Sequence, residues 1–183
     1  MNNTKQESIY VNQHISLKPP IREFAAELYR VIDFNRAYFS QFMAWPKFVT
    51  HPKDTVDFLD SCLTRHQNNQ SKNYVIMLNN NAVGMLSFNQ IDQNNKTAYL
   101  GYWLDSRVQG QGIMTQAINA LTKYYATKRI IKRFVIKCSV ENKQSNEVAR
   151  RCGFSYEGTL KQAEYLNDVF YDQNIYSLIS TYL

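Results

Sequence analysis

The stretch Ala98–Tyr125, AYLGYWLDSRVQGQGIMTQAINALTKYY, decides the fold. Its first part, Ala98 to Asp105, reads as a strand with large apolar residues on both faces. Tyr99 and Trp103 lie on one side, and Leu100, Tyr102 and Leu104 on the other. A strand apolar on both sides is a central strand covered above and below. After Gly112, the residues Met114, Ala117, Ile118, Leu121 and Tyr125 recur at helical spacing and form one apolar stripe. The chain therefore passes from a buried strand to a buried helix through Arg107-Val108-Gln109-Gly110-Gln111-Gly112.

Two glycines one residue apart let the backbone turn tightly and let a ligand approach it closely. The first N–H groups of a helix have no partner within it, and the helix dipole adds partial positive charge there. Such a loop suits a phosphate or pyrophosphate. The glycines alone are equally compatible with a plain strand-to-helix turn. No Gly-Lys-Ser/Thr follows, so the loop is not a Walker A motif. It also lacks the third glycine of the dinucleotide fingerprint.

The loop does match Q/R-x-x-G-x-G/A, with Arg107, Gly110 and Gly112 in the defining positions. In this, and in the flanking LGYWLD and GIMTQA, the chain resembles the GNAT superfamily of acetyl-CoA-dependent N-acetyltransferases. The flanking residues sharpen the resemblance to its RimJ/RimL branch, the ribosomal-protein N-terminal acetyltransferases. The resemblance implies acetyl-CoA as co-substrate, held at its pyrophosphate by main-chain amides of this loop. It implies a cofactor-binding set of Trp103, Leu104, Arg107, Gln109, Gly110, Gln111, Gly112, Ile113, Met114, Thr115, Asn142 and Ser145.

The 183 residues suit a single domain over residues 1–183, with a core over about 14–183 and a polar N-terminal extension over 1–13. A hydrophobic fraction of 44% and an aromatic fraction of 14% exclude a disordered chain. No apolar run approaches membrane-spanning length, and MNNTKQESIYVNQH has no signal-peptide core, so a cytoplasmic location is expected. The net charge of +6 favours anionic partners. The basic residues form no long run interleaved with aromatics, which argues against specific nucleic-acid binding. Cys62, Cys138 and Cys152 form no CxxC pair and read as buried free thiols. His14, His51 and His66 have no ligand spacing, so no metal is expected.

In order along the chain, Ile15–Lys18 reads as a strand stopped by Pro19-Pro20. Two helices should follow from Ile21 to Trp45-Pro46, with a break near Asp33–Asn35. A third helix should be capped by Asp54 or Thr55. Three strands, 74–78, 82–91 and 98–105, form an antiparallel meander, with a hairpin turn at Asn79–Asn81 and a bulge at Gly84. The strand Arg133–Val140 follows a helical crossover and should lie parallel to Ala98–Asp105. Asn142 to Arg151 is a short helix ended by Gly153. The last strands are 154–160 and 169–180, joined by KQAEYLND. This order is that of the GNAT fold. The resemblance thus implies an α/β (α+β) protein with a mixed, mostly antiparallel sheet of about seven strands. Helices lie on both faces, and a splayed parallel strand pair holds the CoA.

The segment Glu141–Leu160, ENKQSNEVARRCGFSYEGTL, carries the second signal. Asn142 and Ser145 sit at a helix start, where simple capping accounts for them. RRCGFSYEGTL resembles the closing segment of the same family. On that resemblance Asn142 bonds the pantetheine arm, and Ser145 acts on the departing thiolate. Glu164, in KQAEYLND, matches the proposed base that takes the amine's proton. Tyr176 is an alternative acid near the sulfur, but an aromatic on a strand is more often core. The reading is an N-acetyltransferase for a protein N-terminal α-amine, a ribosomal one by resemblance, assembled as a homodimer. A small amine (polyamine, amino-acid conjugate or antibiotic) is the alternative acceptor, and a non-catalytic CoA-binding module is the alternative class.

Overall fold

The computed structural model describes residues 7–181. The expected N-terminal extension is therefore described only from residue 7 onward. The elements run β1 (Ile9–Tyr10), β2 (Ile15–Lys18), α1 (Ala25–Phe39), α2 (Pro52–Gln67), β3 (Lys72–Leu78), β4 (Asn81–Asp92) and β5 (Thr97–Leu104). They continue with α3 (Ile113–Thr127), β6 (Arg133–Ser139), α4 (Lys143–Arg151), β7 (Ser155–Leu166) and β8 (Val169–Ile179). The strands form one eight-stranded sheet in the order β1-β2-β3-β4-β5-β6-β8-β7. The strand beyond the expected seven is β1, a two-residue pairing of Ile9 and Tyr10 with Leu17 and Ser16. It is too short to carry a periodic signal.

The sheet is covered on both faces. On one side Leu100 and Leu104 of β5 pack with Ala117, Ile118 and Leu121 of α3 and with Phe88 and Phe134. On the other, Val75, Met77 and Met85 pack with Leu28 of α1 and Leu59 of α2, and Trp103 leans on that cluster. The two-faced strand read from the sequence is thus the centre of two cores.

The parallel pair is the feature that positions the site. β5 and β6 register from Thr97↔Arg133 to Leu100↔Ile136 and no further. Beyond Leu100, β5 is paired only with β4, and from Lys137 onward β6 is paired only with β8. The two strands have splayed, as the family resemblance implies.

Several local readings are corrected. α1 runs without a break through Asp33–Asn35. Asn35 is buried, its amide donating to the Val31 carbonyl and to Asp105. The polar residue that looked like a helix stop is a tertiary contact. No second helix forms before Trp45-Pro46: α1 itself reaches Phe39, residues 40–45 hold no helix, and a 3-10 turn, Pro46–Phe48, follows. α2 begins a turn earlier than expected, with Pro52 first and the Asp54 carboxylate accepting from the backbone N–H of His51 and Thr50. The first bulge of β4 falls at Val83, beside Gly84. It turns the Val83 carbonyl to the Asp105 N–H. A Cβ on Gly84 would meet the Trp103 carbonyl at 2.3 Å, so this glycine permits close strand approach. Most of KQAEYLND is strand, since β7 reaches Leu166. The turn is Asn167-Asp168, both at positive φ, as in a two-residue hairpin.

Candidate active site

The glycine loop is held from beneath. Asp105, 3% exposed, directly follows β5. Its carboxylate accepts from the Arg107 backbone N–H, from the Arg107 guanidinium at 2.6 Å, and from the Asn35 amide. The Asn35 carbonyl in turn accepts from the Ser106 N–H. Burial works to raise the Asp105 carboxyl, but the bonds from Arg107 and Asn35 outweigh it and hold the group below its ordinary value. The Arg107 guanidinium also lies 4.3 Å from the centre of the Phe34 ring. Its side chain therefore braces the loop instead of lining the cleft.

Above this brace the main chain turns outward. Gly110 and Gly112 have φ of 75° and 72°, in the left-handed region. Gly112 is the N-cap of α3. Among the described residues, no backbone N–H from Gly110 to Thr115 has a protein acceptor. A Cβ on Gly110 would meet nothing within 4 Å, and one on Gly112 only the end of Gln116. The loop thus presents a row of unpaired donors to open space at a helix N-terminus. That is a fit for the pyrophosphate of coenzyme A.

One cleft of about 1350 Å³ runs from this loop through the splay. Of the sequence-predicted set, Trp103, Leu104, Gln109, Gly110, Gly112, Ile113, Met114, Thr115, Asn142, Ser145 and Glu164 all line it. Arg107 and Gln111 do not. The Gln109 side chain donates to the Leu104 carbonyl at 3.1 Å and accepts from the Tyr38 hydroxyl at 3.3 Å. Tyr38 also bonds Gln144, so it ties the loop to α4. Asn142 caps α4, its side-chain oxygen accepting from the Ser145 N–H. The capping reading and the cleft-lining reading hold together, because the cap leaves the amide nitrogen for another acceptor.

Ser145 faces the splay, with its hydroxyl 2.8 Å from that of Tyr102. Cys138, on the splayed end of β6, lies against the Ser145 hydroxyl, and burial pushes its thiol up to about 11. Glu164 is half-buried on β7, opposite Tyr171, at the other side of the cleft. Tyr176 is fully buried and donates to Asn146, so it is core and does not reach the cleft. Asn146 is a residue the sequence did not single out. It is 3% exposed and donates to the Ser139 and Asn142 carbonyls, while its oxygen accepts from Tyr176 and Asn174. It fixes the start of α4 to β6 and β8. Tyr102, Asp105 and Asn35 were also missed, each lacking any local motif.

The end of the cleft away from the loop is built from side chains. Phe39, Trp45 and Trp103 form a mutual cluster with ring centres 5.3 to 6.3 Å apart. Thr55 and Arg65 of α2 line the same cleft. The Thr55 hydroxyl and the Arg65 Nε are buried without a hydrogen-bond partner. No three His, Cys, Asp or Glu side chains cluster among the described residues as a metal site would require. No described helix is long and apolar enough to cross a membrane.

Comparison with known proteins agrees with this geometry. The family described as "Acetyltransferase (GNAT) domain" matches residues 15–155. The chain is 43% identical to the ribosomal-protein-serine acetyltransferase of Escherichia coli (strain K12), over 94% of this chain and 97% of that one. Among solved structures it is similar to a microcin self-immunity acetyltransferase in complex with acetyl-CoA and AMP. The identity is 48% and the TM-score 0.91, over 92% of this chain and 94% of that one. It is also similar to RimL, a ribosomal alpha-N-protein acetyltransferase, in complex with coenzyme A. Here the identity is 43% and the TM-score 0.92, over 94% and 98%.

Proposed function

The chain belongs to the GNAT acetyltransferase family, and from that premise we propose that it acetylates the N-terminal α-amine of a ribosomal protein. Its co-substrate is acetyl-CoA, which supplies the activated acetyl group. One observation carries the chemical reading. The unpaired N–H row, the open edge of β5 from Gly101 to Leu104, Ser145 and Glu164 all line a single cleft. The N–H row binds the pyrophosphate. The open strand edge takes the pantetheine amides as an added strand would. Glu164 takes the proton that the attacking ammonium must lose. Ser145 stabilises charge on the leaving sulfur.

The net charge of +6 supports an acidic acceptor protein. A second reading, acetylation of a small amine conjugate, is favoured by the 48% likeness to an acetyltransferase solved with AMP beside acetyl-CoA. The aromatic cluster at the acceptor end suits either. One sheet spanning β1 to β8 supports a single domain, and a cytoplasmic setting suits a ribosomal acceptor. Tyr156, Tyr165, Val169, Phe170 and Ile179 are exposed on the β7–β8 end of the sheet and support a homodimer. Sedimentation at micromolar concentration should then give twice the monomer mass.

The acceptor is tested by incubating a lysate with labelled acetyl-CoA and this protein, then reading protein N-termini and small amines together by mass spectrometry. Label is expected on one ribosomal N-terminus. Label confined to small amines selects the second reading, and label in neither pool overturns both.

A further inference from the structure

Ser145 does not stand alone in the splay. Tyr102 projects from β5 on the α3 side, and its hydroxyl lies 2.8 Å from Ser145 Oγ and 3.3 Å from the Ser145 carbonyl oxygen. These two acceptors give the phenol two ways to place one proton. With Tyr102 donating to the carbonyl, the Ser145 hydroxyl donates to the phenol oxygen. With Tyr102 donating to Ser145 Oγ, the serine proton is released to point into the cleft. The second arrangement uses the shorter contact and gains only when an acceptor lies in front of Ser145.

We propose that Tyr102 is a positioning residue for acetyl transfer: it turns its hydroxyl onto Ser145 as negative charge develops on the CoA sulfur, so that Ser145 donates to that sulfur. This rests on the acetyltransferase reading above. The acceptor ammonium gives one proton to Glu164, and the neutral amine then forms the new C–N bond while the C–S bond breaks with its electron pair on sulfur. The nitrogen's second proton leaves as the amide forms and neutralises the thiolate, so CoA departs as the thiol beside protonated Glu164 and no proton needs to leave Tyr102. Burial pushes the Tyr102 phenol well above its ordinary value, with Cys138 and Cys152 adding to the rise and Ser145 and Arg151 opposing it. Full transfer from this phenol to a thiolate is uphill. The pair therefore stabilises the leaving sulfur by hydrogen bonding, and it does so more in the transition state than in the thioester. A chain of two hydroxyls polarises in one direction, which strengthens the terminal bond.

The test reads the thiol of bound CoA directly. Thiolate formation is followed by ultraviolet absorbance over a pH series. Protein loaded with desulfo-CoA is subtracted to remove the protein's own cysteines. The bound thiol should titrate below free CoA in the wild type. Tyr102→Phe should move it up by about one pH unit, corresponding to a tenfold change, and Ser145→Ala by at least as much. The rate should follow, with kcat of Tyr102→Phe down about tenfold and the KM for acetyl-CoA within about twofold. On the Ser145→Ala background, Tyr102→Phe should cost less than about twofold further. An unshifted thiol in the wild type overturns the proposal. So does an equal further loss on the Ser145→Ala background. A shifted thiol with no acetyl transfer to any amine would instead overturn the enzymatic reading and leave the hydroxyl pair standing.

Discussion

The two ends of the cleft are built from different parts of the chain. At the proposed cofactor end the groups free to meet a ligand are main-chain N–H donors from Gly110 to Thr115, carried on one continuous loop and helix start. At the proposed acceptor end the lining groups are side chains: Phe39 from α1, Trp45 beyond it, Thr55 and Arg65 from α2, and Trp103 from β5. A main-chain site constrains the sequence only where the backbone needs freedom or space, which leaves a short glycine signature. A side-chain site assembled from distant segments leaves none. The difference predicts which substitutions hurt which substrate.

The largest effect should come from the glycines. Gly112→Val and Gly110→Val each put a β-branched side chain into the left-handed region and into the space over the donors. Losing two charge-assisted bonds to a phosphate, at ~1.5–3 kcal/mol each, weakens CoA binding by on the order of 10²-fold or more. Calorimetry with CoA checks this. Wild-type affinity in both variants would break the main-chain assignment.

Glu164→Gln should next separate chemistry from binding. CoA affinity should hold, while the rate falls on the order of 10- to 10²-fold below pH 8, where an α-amine of pKa about 8 is largely protonated. Raising the pH should recover part of the loss. A variant with the wild-type rate from about pH 6 to 9 would place the base elsewhere.

Between the two ends stands the Asp105 brace, which serves the cofactor end through side chains. Asp105→Asn leaves the Arg107 guanidinium without its buried carboxylate and should cost on the order of 1–3 kcal/mol. The Asp105 carboxyl is depressed in the folded state. Its contribution is therefore complete above the unfolded value of about 3.9 and is lost as pH falls through the lower folded value. Urea unfolding should show the gap between wild type and variant closing below about pH 4 and constant above it. A gap of equal size at pH 3 would remove the charged brace from the account.

These contrasts explain what could be read from the sequence. The strand Ala98–Asp105, the stripe of α3 and the glycine pair are local patterns, and they placed the parallel pair and its loop. Asn142 and Ser145 were legible because a helix start has its own residue preferences. Asn35 misled, because an amide turned inward toward Asp105 looks in sequence like a helix break. Tyr102 was seen only as an apolar residue of a central strand. Its hydroxyl gains a role only when α4, some forty residues later, folds over it. Glu164 was identified by resemblance but placed in a connection, because β7 continues through polar residues that carry no alternation.

The acceptor end should respond in the opposite sense to the cofactor end. Arg65 has no carboxylate partner among the described residues, and its Nε is unsatisfied. Arg65 does act on the Cys62 thiol, which burial pushes up to about 11 and so leaves neutral. Arg65→Met should raise the acceptor KM roughly tenfold with CoA affinity unchanged within about twofold. A change in CoA affinity without one in acceptor KM would break the division of the cleft.

The smallest effect sharpens the comparison most. Gln109 and Gln111 flank Gly110, and a pure main-chain site would treat both side chains as dispensable. Gln109, however, donates to the Leu104 carbonyl and receives the Tyr38 hydroxyl, whereas Gln111 does not line the cleft. Gln109→Ala frees the loop from the end of β5 and should weaken CoA binding about three- to tenfold, one neutral hydrogen bond being worth about 1 kcal/mol. Gln111→Ala should leave it within about twofold, since Gln111 contributes only its backbone N–H. Tyr38→Phe removes the other bond to Gln109 and should fall between them. Equal losses at both glutamines would mean that the loop contacts CoA through side chains. No loss at either would mean that Asp105 and Arg107 alone hold the loop in its binding shape.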